Sequence, residues 1–295
     1  MIQHPSVPLA RVPRGILAVL AAAFTLLAAA SSAGPGVPWA PTVLAQPPVV
    51  ESYRLTAVWP AKDLTAAGVL RQPVGLDVAG DDRVYVSDPG AGGVHVMLPS
   101  GQFLAPFGVT GSDVERLGTP GRLAVDQSLA RVYVVDEASD RLVLYDLDGA
   151  YLTHWPGIAA AALAVGPDSR VYVADRERNA VRVFDSAGTE VFAFGGQGTG
   201  QGQFTRMADL SVSPDGAVLA VADFLDLRVQ LFDLSPTGAT FRRDYELNAP
   251  KYGPPATGIP PNRPCRAGVV SALGRDTVWV GDGTGACRLT PTDHT

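Results

Sequence analysis

A short strand-like pattern that ends in aspartate recurs five times in this 295-residue chain, and this repeat constrains the possible folds more than any other feature. The copies are VYVSD (84–88), VYVVD (132–136), VYVAD (171–175), LAVAD (219–223) and VWVGD (278–282). Their final aspartates are separated by 48, 39, 48 and 59 residues. Recurrence at such spacings is typical of architectures in which each copy is one supersecondary unit packed against its neighbours.

Each copy lies within a longer unit of four strand-like patterns. First strands precede it at 74–78, 122–126, 162–166, 209–213 and 268–272. Third strands follow at 94–97, 141–146, 180–185, 228–233 and 286–289, and fourth strands at 102–108, 150–156, 189–195 and 241–247. The turns before the fourth strands read LPSG, DLDG, DSAG and SPTG, which favour hairpins. Four short antiparallel strands repeated in this way predict an all-β chain folded as a β-propeller.

Five copies supply only four fourth strands, and the N-terminal part of the repeat region offers a fifth. Residues 53–60, YRLTAVWP, resemble residues 151–156, YLTHWP, because both end on Trp-Pro after an alternating pattern. We expect this N-terminal strand to pair into the last blade and close the ring. Closure would remove two exposed sheet edges that otherwise invite association.

These motifs resemble the NHL-repeat family of β-propellers, of the exported bacterial type, over about 240 residues. The resemblance is carried by VYVADRERNAVRVFDSAG (171–188) and by the glycine-rich connector FGGQGTGQGQF (194–204). It implies the fold more than any particular activity. Six blades are usual in that family, so five visible repeats indicate either a smaller ring or a chain that stops before a final blade.

The N-terminal region has the features of an export signal. Arg11 and Arg14 precede the uncharged apolar run 15–30, and the small residues 31–33 follow it. This order predicts a secretory signal peptide over residues 1–33, or an uncleaved membrane anchor. Residues 34–50, rich in proline and alanine, would form a linker to the propeller at 51–295. The chain is therefore expected to be secreted or periplasmic, with membrane contact only through an uncleaved anchor.

Charge argues against one class of partner. The chain has 23 Lys and Arg against 29 Asp and Glu, a formal net charge of −6. Because it has no excess of positive charge to neutralise phosphates, nucleic-acid binding is not expected.

The recurring aspartates invite comparison with a ring of metal ligands. A short polar or glycine-containing segment follows each of them, so the carboxylate is expected to accept backbone N–H groups and fix the turn. This structural role is assigned to Asp88, Asp136, Asp175, Asp223 and Asp282. The connector 194–204 lacks the spacing of a phosphate-binding loop and is interpreted as a link between blades.

Some propellers that resemble this chain are lyases or lactonases, but few residues here suit a metal-dependent site. Of four histidines, only His95 and His154 lie in blades, on a third and a fourth strand. The first strands offer Asp77, Asp126 and Asp209. We expect no catalytic residue, metal or cofactor. An axial metal-dependent lactonase or lyase remains the alternative.

The two cysteines, Cys265 and Cys287, both fall in the last copy. An exported chain favours a disulfide between them. However, they are separated by two strand spacings, nearly 10 Å, while a disulfide tolerates about 7 Å between Cα atoms. Both readings stay open.

Strand alternation places the second-to-third-strand turns and the fourth-to-first-strand connectors at one end of the blades, here named the loop face. The tight turns lie at the other end, the turn face. The long connectors 60–72, 108–119, 195–206 and 248–264 belong to the loop face, where recognition is usually found. The candidate ligand-binding residues are Arg116, Arg176, Arg178, Asn179, Arg206, Phe224, Leu225, Tyr252 and Arg263. The chain is predicted to be a non-catalytic module that binds a protein, peptide or glycan, with a spacer role as a further possibility.

Overall fold

The structure is a computed structural model, and it describes residues 70–111 and 113–247, together with the backbone of three strands between 269 and 289. The described chain is all-β, with 18 strands in five antiparallel sheets. Each sheet is one blade, numbered 1 to 5 in chain order. The linker and signal segment predicted before residue 51 lie outside the described residues, as does the N-terminal strand predicted at 53–60.

Each blade is formed by strands that are consecutive in the chain. Blade 1 has β1 (Gly75–Val78), β2 (Val84–Asp88) and β3 (Gly93–Met97). Blade 2 has β4 (Pro120–Asp126), β5 (Arg131–Asp136), β6 (Arg141–Asp146) and β7 (Tyr151–Pro156). Blade 3 has β8 (Ala160–Val165), β9 (Val171–Asp175), β10 (Ala180–Phe184) and β11 (Glu190–Gly195). Blade 4 has β12 (Met207–Val212), β13 (Val218–Asp223), β14 (Arg228–Ser235) and β15 (Gly238–Glu246). Blade 5 has β16 (Val269–Ala272), β17 (Val278–Gly281) and β18 (Ala286–Leu289).

The fourth strand predicted at 102–108 is the one clear departure within the described blades. It forms only isolated pairings with β3, between Phe107 and Val94 and between Phe103 and Met97. Pro106 lies between these two pairings and has no N–H to donate, so a continuous ladder cannot form there.

The blades are arranged around an axis lined by their first strands. β1 packs beside β4, β4 beside β8, β8 beside β12, and β12 beside β16. Each sheet alternates its apolar side chains between the two neighbouring blades. Between blades 1 and 2, for example, Tyr85 and Val94 pack with Leu123, Val134 and Tyr145. The prediction of a β-propeller built from four-stranded antiparallel blades is confirmed.

Hydrogen bonds join successive blades on the turn face. An arginine at the start of the second strand of blades 1, 2 and 3, or directly before it, reaches a carbonyl in the following blade's hairpin. The pairs are Arg83 with Leu147 O at 3.0 Å, Arg131 with Ser186 O at 3.1 Å, and Arg170 with Ser235 O at 3.4 Å. Three turn-face arginines are therefore engaged in holding blade to blade.

Within the described residues, no helix has the length and apolar character needed to cross a bilayer.

Candidate binding face

The loop face is assembled by the aspartates that end the second strands. The Asp88 carboxylate accepts the N–H groups of Arg71 at 2.6 Å and Gln72 at 2.9 Å, which lie in the segment entering blade 1. Asp136 accepts Gly118 N and Thr119 N, both at 3.0 Å. Each carboxylate therefore fixes the incoming connector to the turn that follows the second strand.

Blade 4 repeats this arrangement and blade 3 varies it. Asp223 accepts Thr205 N at 3.0 Å and Arg206 N at 2.9 Å. Asp175 instead accepts Glu177 N and Arg178 N within its own turn, both at 3.0 Å. Its other oxygen accepts a hydrogen bond from Arg182 at 3.1 Å. Asp282 lies outside the described residues.

Two of these carboxylates, Asp136 and Asp223, have pKa values shifted in opposite directions because their surroundings differ. Burial raises the pKa of Asp136, but the N–H groups of Thr119 and Gly118 and the Arg141 guanidinium outweigh burial and hold it below its usual range. Burial dominates at Asp223, where it raises the pKa despite two backbone N–H donors, and the nearby Asp226 adds to the rise. The charged form is thus favoured at Asp136 and disfavoured at Asp223.

The turns after the second strands share one backbone feature. Their fourth and last residue has left-handed φ: Gly92 at 76°, Asp140 at 45°, Asn179 at 48° and Leu227 at 48°. Asparagine and aspartate tolerate this region, so Asn179 is accounted for by the turn itself. Its carbonyl also accepts Gly196 N at 2.9 Å, at the start of the glycine-rich connector.

Three of the predicted arginines lie on the loop face with acidic neighbours. Arg116 is 51% exposed in its side chain and lies 3.5 Å from Asp113. Arg178 is 57% exposed and lies 3.6 Å from Glu190. Arg176 pairs with Asp140 and also donates to Ala160 O at 3.3 Å. Arg116 and Arg178 thus keep about half or more of their side-chain surface exposed, whereas Arg176 bridges two blades.

Arg206, Phe224 and Leu225 form a separate group between blades 3 and 4. The Arg206 guanidinium stands 5.7 Å from the centre of the Phe224 ring. Leu225 is 55% exposed at the tip of the same turn. Tyr252 and Arg263, predicted for this face, lie outside the described residues, as does Cys265; Cys287 lies in β18, where only the backbone is described.

Sequence reasoning missed two apolar residues of the connector between blades 1 and 2. Val109 is 45% exposed and Val114 is 54% exposed, in the same segment as Arg116. They lie in the glycine- and threonine-containing stretch VTGSDVERL, and scattered apolar residues in such a loop are too common to have marked a site in the sequence.

Two polar residues of β14, Arg228 and Gln230, form hydrogen bonds with the backbone of the glycine-rich connector. Arg228 donates to Thr199 O at 2.7 Å, Gly200 O at 3.1 Å and Gln203 O at 2.8 Å. Gln230 accepts Gly202 N at 2.8 Å and donates to Gln203 O at 2.7 Å. Buried polar groups of β14 therefore replace water as partners for the connector backbone.

The residues weighed for metal chemistry are dispersed. His95 is buried on β3, and desolvation lowers its pKa. His154 lies 2.9 Å from the Tyr151 hydroxyl. Asp77 accepts Val125 N at 2.7 Å, and Asp126 caps its own turn. Among the described residues, no group of three or more His, Cys, Asp or Glu side chains is placed to hold a metal ion.

Comparison with known proteins agrees with this architecture. The family DUF5128, described as a 6-bladed beta-propeller, matches residues 165–247. A streptogramin B lyase structure superposes with a TM-score of 0.52 at 14% identity, over 75% of this chain and 66% of that one. A catalytically inactive virginiamycin B lyase from Staphylococcus aureus, with Quinupristin, gives 0.54 at 10% identity, over 74% and 66%. A chain of a Nidogen/Laminin complex gives 0.50 at 15% identity, over 71% and 72%.

The chain thus spans 66% of the length of each of these two lyases. No curated protein matches it significantly in sequence. At such low identities the solved structures show a shared fold, and together with the family match they support a β-propeller family for this chain.

Proposed function

We propose that this chain is an exported, NHL-like propeller that acts as a non-catalytic binding module, recognising its partner through the loop face. The observation that carries the proposal is that two loop-face arginines stay largely exposed, while other arginines of that face, such as Arg176 and Arg228, are engaged. On the turn face, Arg83, Arg131 and Arg170 are engaged by the following blade. On the loop face, Arg116 and Arg178 keep more than half of their side-chain surface exposed.

The exposed side chains of the loop face suggest the chemistry of the partner. Arg116 and Arg178 offer planar guanidinium groups, and Val109, Val114 and Leu225 add apolar surface. Arginine beside apolar or aromatic side chains is the usual composition of an interface anchor. This mixture suits a protein or peptide that carries carboxylates next to apolar side chains, and it suits a glycan less well.

A capture experiment tests this proposal with two matched triple variants. Arg116→Ala, Arg178→Ala and Leu225→Ala together should weaken partner binding by at least roughly 30-fold, because even one hot-spot truncation costs about 2 kcal/mol or more. The thermal melt should stay nearly unchanged, since all three side chains are exposed. The measurement is capture by the immobilised protein from an extracellular extract, followed by titration of the captured partner.

The control variant carries Asp148→Ala, Asp168→Ala and Leu129→Ala, three exposed positions of the turn face. It should bind like the parent. Loss of capture in the control with retention in the loop-face variant would overturn the assignment. Protease treatment of the extract should remove the captured species, whereas removal by glycosidase alone would identify a glycan.

An axial metal-dependent lyase or lactonase is the second candidate, and the structural similarity to two lyases is the observation that favours it. Thermal melting of the mature protein, first with divalent metal ions and then with EDTA, distinguishes the two candidates. A melting temperature that follows the metal would favour the enzyme.

Export rests on the sequence of residues 1–33. If the signal is cleaved after Ala33, the exported protein begins at Gly34 and fractionates as a soluble species. Recovery of an intact N terminus in the membrane fraction would indicate the anchor instead.

A further inference from the structure

The fourth strand of blade 2 contains one residue more than the stretch of third strand with which it pairs. Tyr151 pairs with Tyr145 and Trp155 with Leu142, so four residue steps on β7 lie opposite three on β6. Leu152 is the residue that this register leaves unpaired. The same shift falls at the corresponding third-strand positions of blades 3 and 4, between Val183 and Phe184 and between Leu231 and Phe232.

Blade 1 has the same excess residue, although its fourth-strand segment pairs with β3 only at two isolated points. Phe103 pairs with Met97 and Phe107 with Val94, so four steps again lie opposite three. The excess residue therefore recurs at one repeat position in blades 1 to 4, whose fourth strands the structure describes. In chain order these residues are Leu104, Leu152, Val191 and Arg242.

A residue inserted in this way is a β-bulge, which stays out of the ladder, bends the strand and increases its twist. Three of the four bulge residues, Leu104, Leu152 and Val191, are large apolar residues that are exposed. Arg242 instead turns back to Asp233, at 2.6 Å. The bulge therefore interrupts the regular ladder at the same place in each of these blades.

This interruption lies on a sheet edge, because the fourth strand is the outermost strand in blades 2 to 4. An edge strand presents N–H and C=O groups that can pair with another chain. β7 and β11 have six residues each, and a bulge at the second residue leaves four in regular register. A typical strand pairs over about five or six residues, so the bulge leaves an incoming strand too short a regular edge.

Other protections against strand addition differ from blade to blade, so the bulge is the feature that these edges share. The fourth-strand segment of blade 1 contains Pro106, and β15 has four charged residues between 242 and 246. β7 has no charged residue, and β11 has only Glu190 before the apolar run 191–194, VFAF. Proline and charge discourage pairing at an edge, whereas an uncharged apolar run favours it. Blades 2 and 3 therefore depend most on the bulge.

We propose that the bulges at Leu152 and Val191 close the outer edges of blades 2 and 3 to strand addition, so that a second copy cannot extend either sheet. Removal of the extra residue would restore one-to-one pairing along the ladder. The regular apolar edge formed in this way would accept a strand from a second copy. This role is independent of what the loop face binds.

Sedimentation equilibrium of the mature chain tests this role. Deletion of Val191 should raise the weight-average mass about two-fold or more over that of the parent, because two regular edges can pair. Deletion of Leu152 should do the same through blade 2. Val191→Thr keeps the extra residue and is the matched control, which should sediment like the parent. Adding Ala193→Lys to the Val191 deletion should restore the parent's mass, because a charge on the edge blocks pairing.

A synthetic peptide of residues 189–195 gives a second readout, on the parent itself, that does not depend on the folding of the deletion variants. It should bind the parent no better than a scrambled peptide at concentrations up to about 1 mM. Deletion variants that melt cooperatively yet keep the parent's mass would overturn the proposal. So would a parent that binds the peptide specifically, or a parent whose self-association is abolished by Val191→Lys, because its edge would then already accept a strand.

Discussion

At the scale of single residues, Asp136 and Asp223 have the same position in the repeat, but their pKa values are shifted in opposite directions. The pKa of Asp136 is depressed, so its charged form stabilises the fold at neutral pH, and this contribution is lost as pH falls through the depressed pKa. Asp136→Asn should therefore destabilise the protein by about 2 kcal/mol at pH 7 and by less near pH 3, where the carboxyl of the unfolded chain is already largely protonated. Denaturant titrations at the two pH values measure this difference.

Asp223→Asn is the matched variant. Because burial raises the pKa of Asp223, the charged carboxylate is disfavoured in the fold, and its ionisation at higher pH lowers stability. Asp223→Asn should cost less than Asp136→Asn at pH 7. Equal losses for the two variants at both pH values would contradict the assigned difference in environment.

At the scale of elements, β14 determines the shape of the connector between blades 3 and 4. Arg228→Met would remove three hydrogen bonds to connector carbonyls and leave the buried Asp223 without the guanidinium that lies 3.7 Å away. Breaking such a buried arrangement should cost about 3 kcal/mol. Amide exchange across residues 196–204 should accelerate, which hydrogen exchange with mass spectrometry can locate.

Arg242→Met is the control at this scale. Arg242 pairs with Asp233 at 2.6 Å, where both side chains are partly exposed. Because exposed ion pairs contribute little, this variant should change stability by less than about 1 kcal/mol. A similar loss in both variants would show that the connector does not depend on the buried guanidinium.

At the scale of the whole molecule, two leucines in the same repeat position have different surroundings. Leu123→Ala, between blades 1 and 2, should cost about 2–5 kcal/mol because it opens a cavity in a packed interface. Leu76→Ala should cost less than about 1 kcal/mol because that side chain is 65% exposed. Equilibrium unfolding in urea measures both. A large loss at Leu76 would show that another blade packs over the first strand of blade 1.

The repeat in the sequence was sufficient for the architecture of the described blades. Strand alternation sets which side chains share a face, and hairpin turn residues are local, so the pattern ending in aspartate located β2, β5, β9 and β13 to within one residue. The fourth strand at 102–108 was predicted as continuous and is interrupted, although Pro106 was visible in the sequence. The turns at Asn179 and Gly92 also follow from local residue preferences.

Only the tertiary structure decided which polar side chains are engaged. Arg131 and Arg178 both lie at or near a turn of a blade, yet Arg131 donates a hydrogen bond to the next blade and Arg178 is largely exposed. Whether an arginine finds such a partner depends on a neighbouring blade 40 or more residues away in the chain. The same holds for Arg228, whose partners lie 25 to 29 residues earlier in the chain. Local sequence determines strands and turns through backbone preferences, whereas the loop face emerges from long-range packing that no single segment encodes.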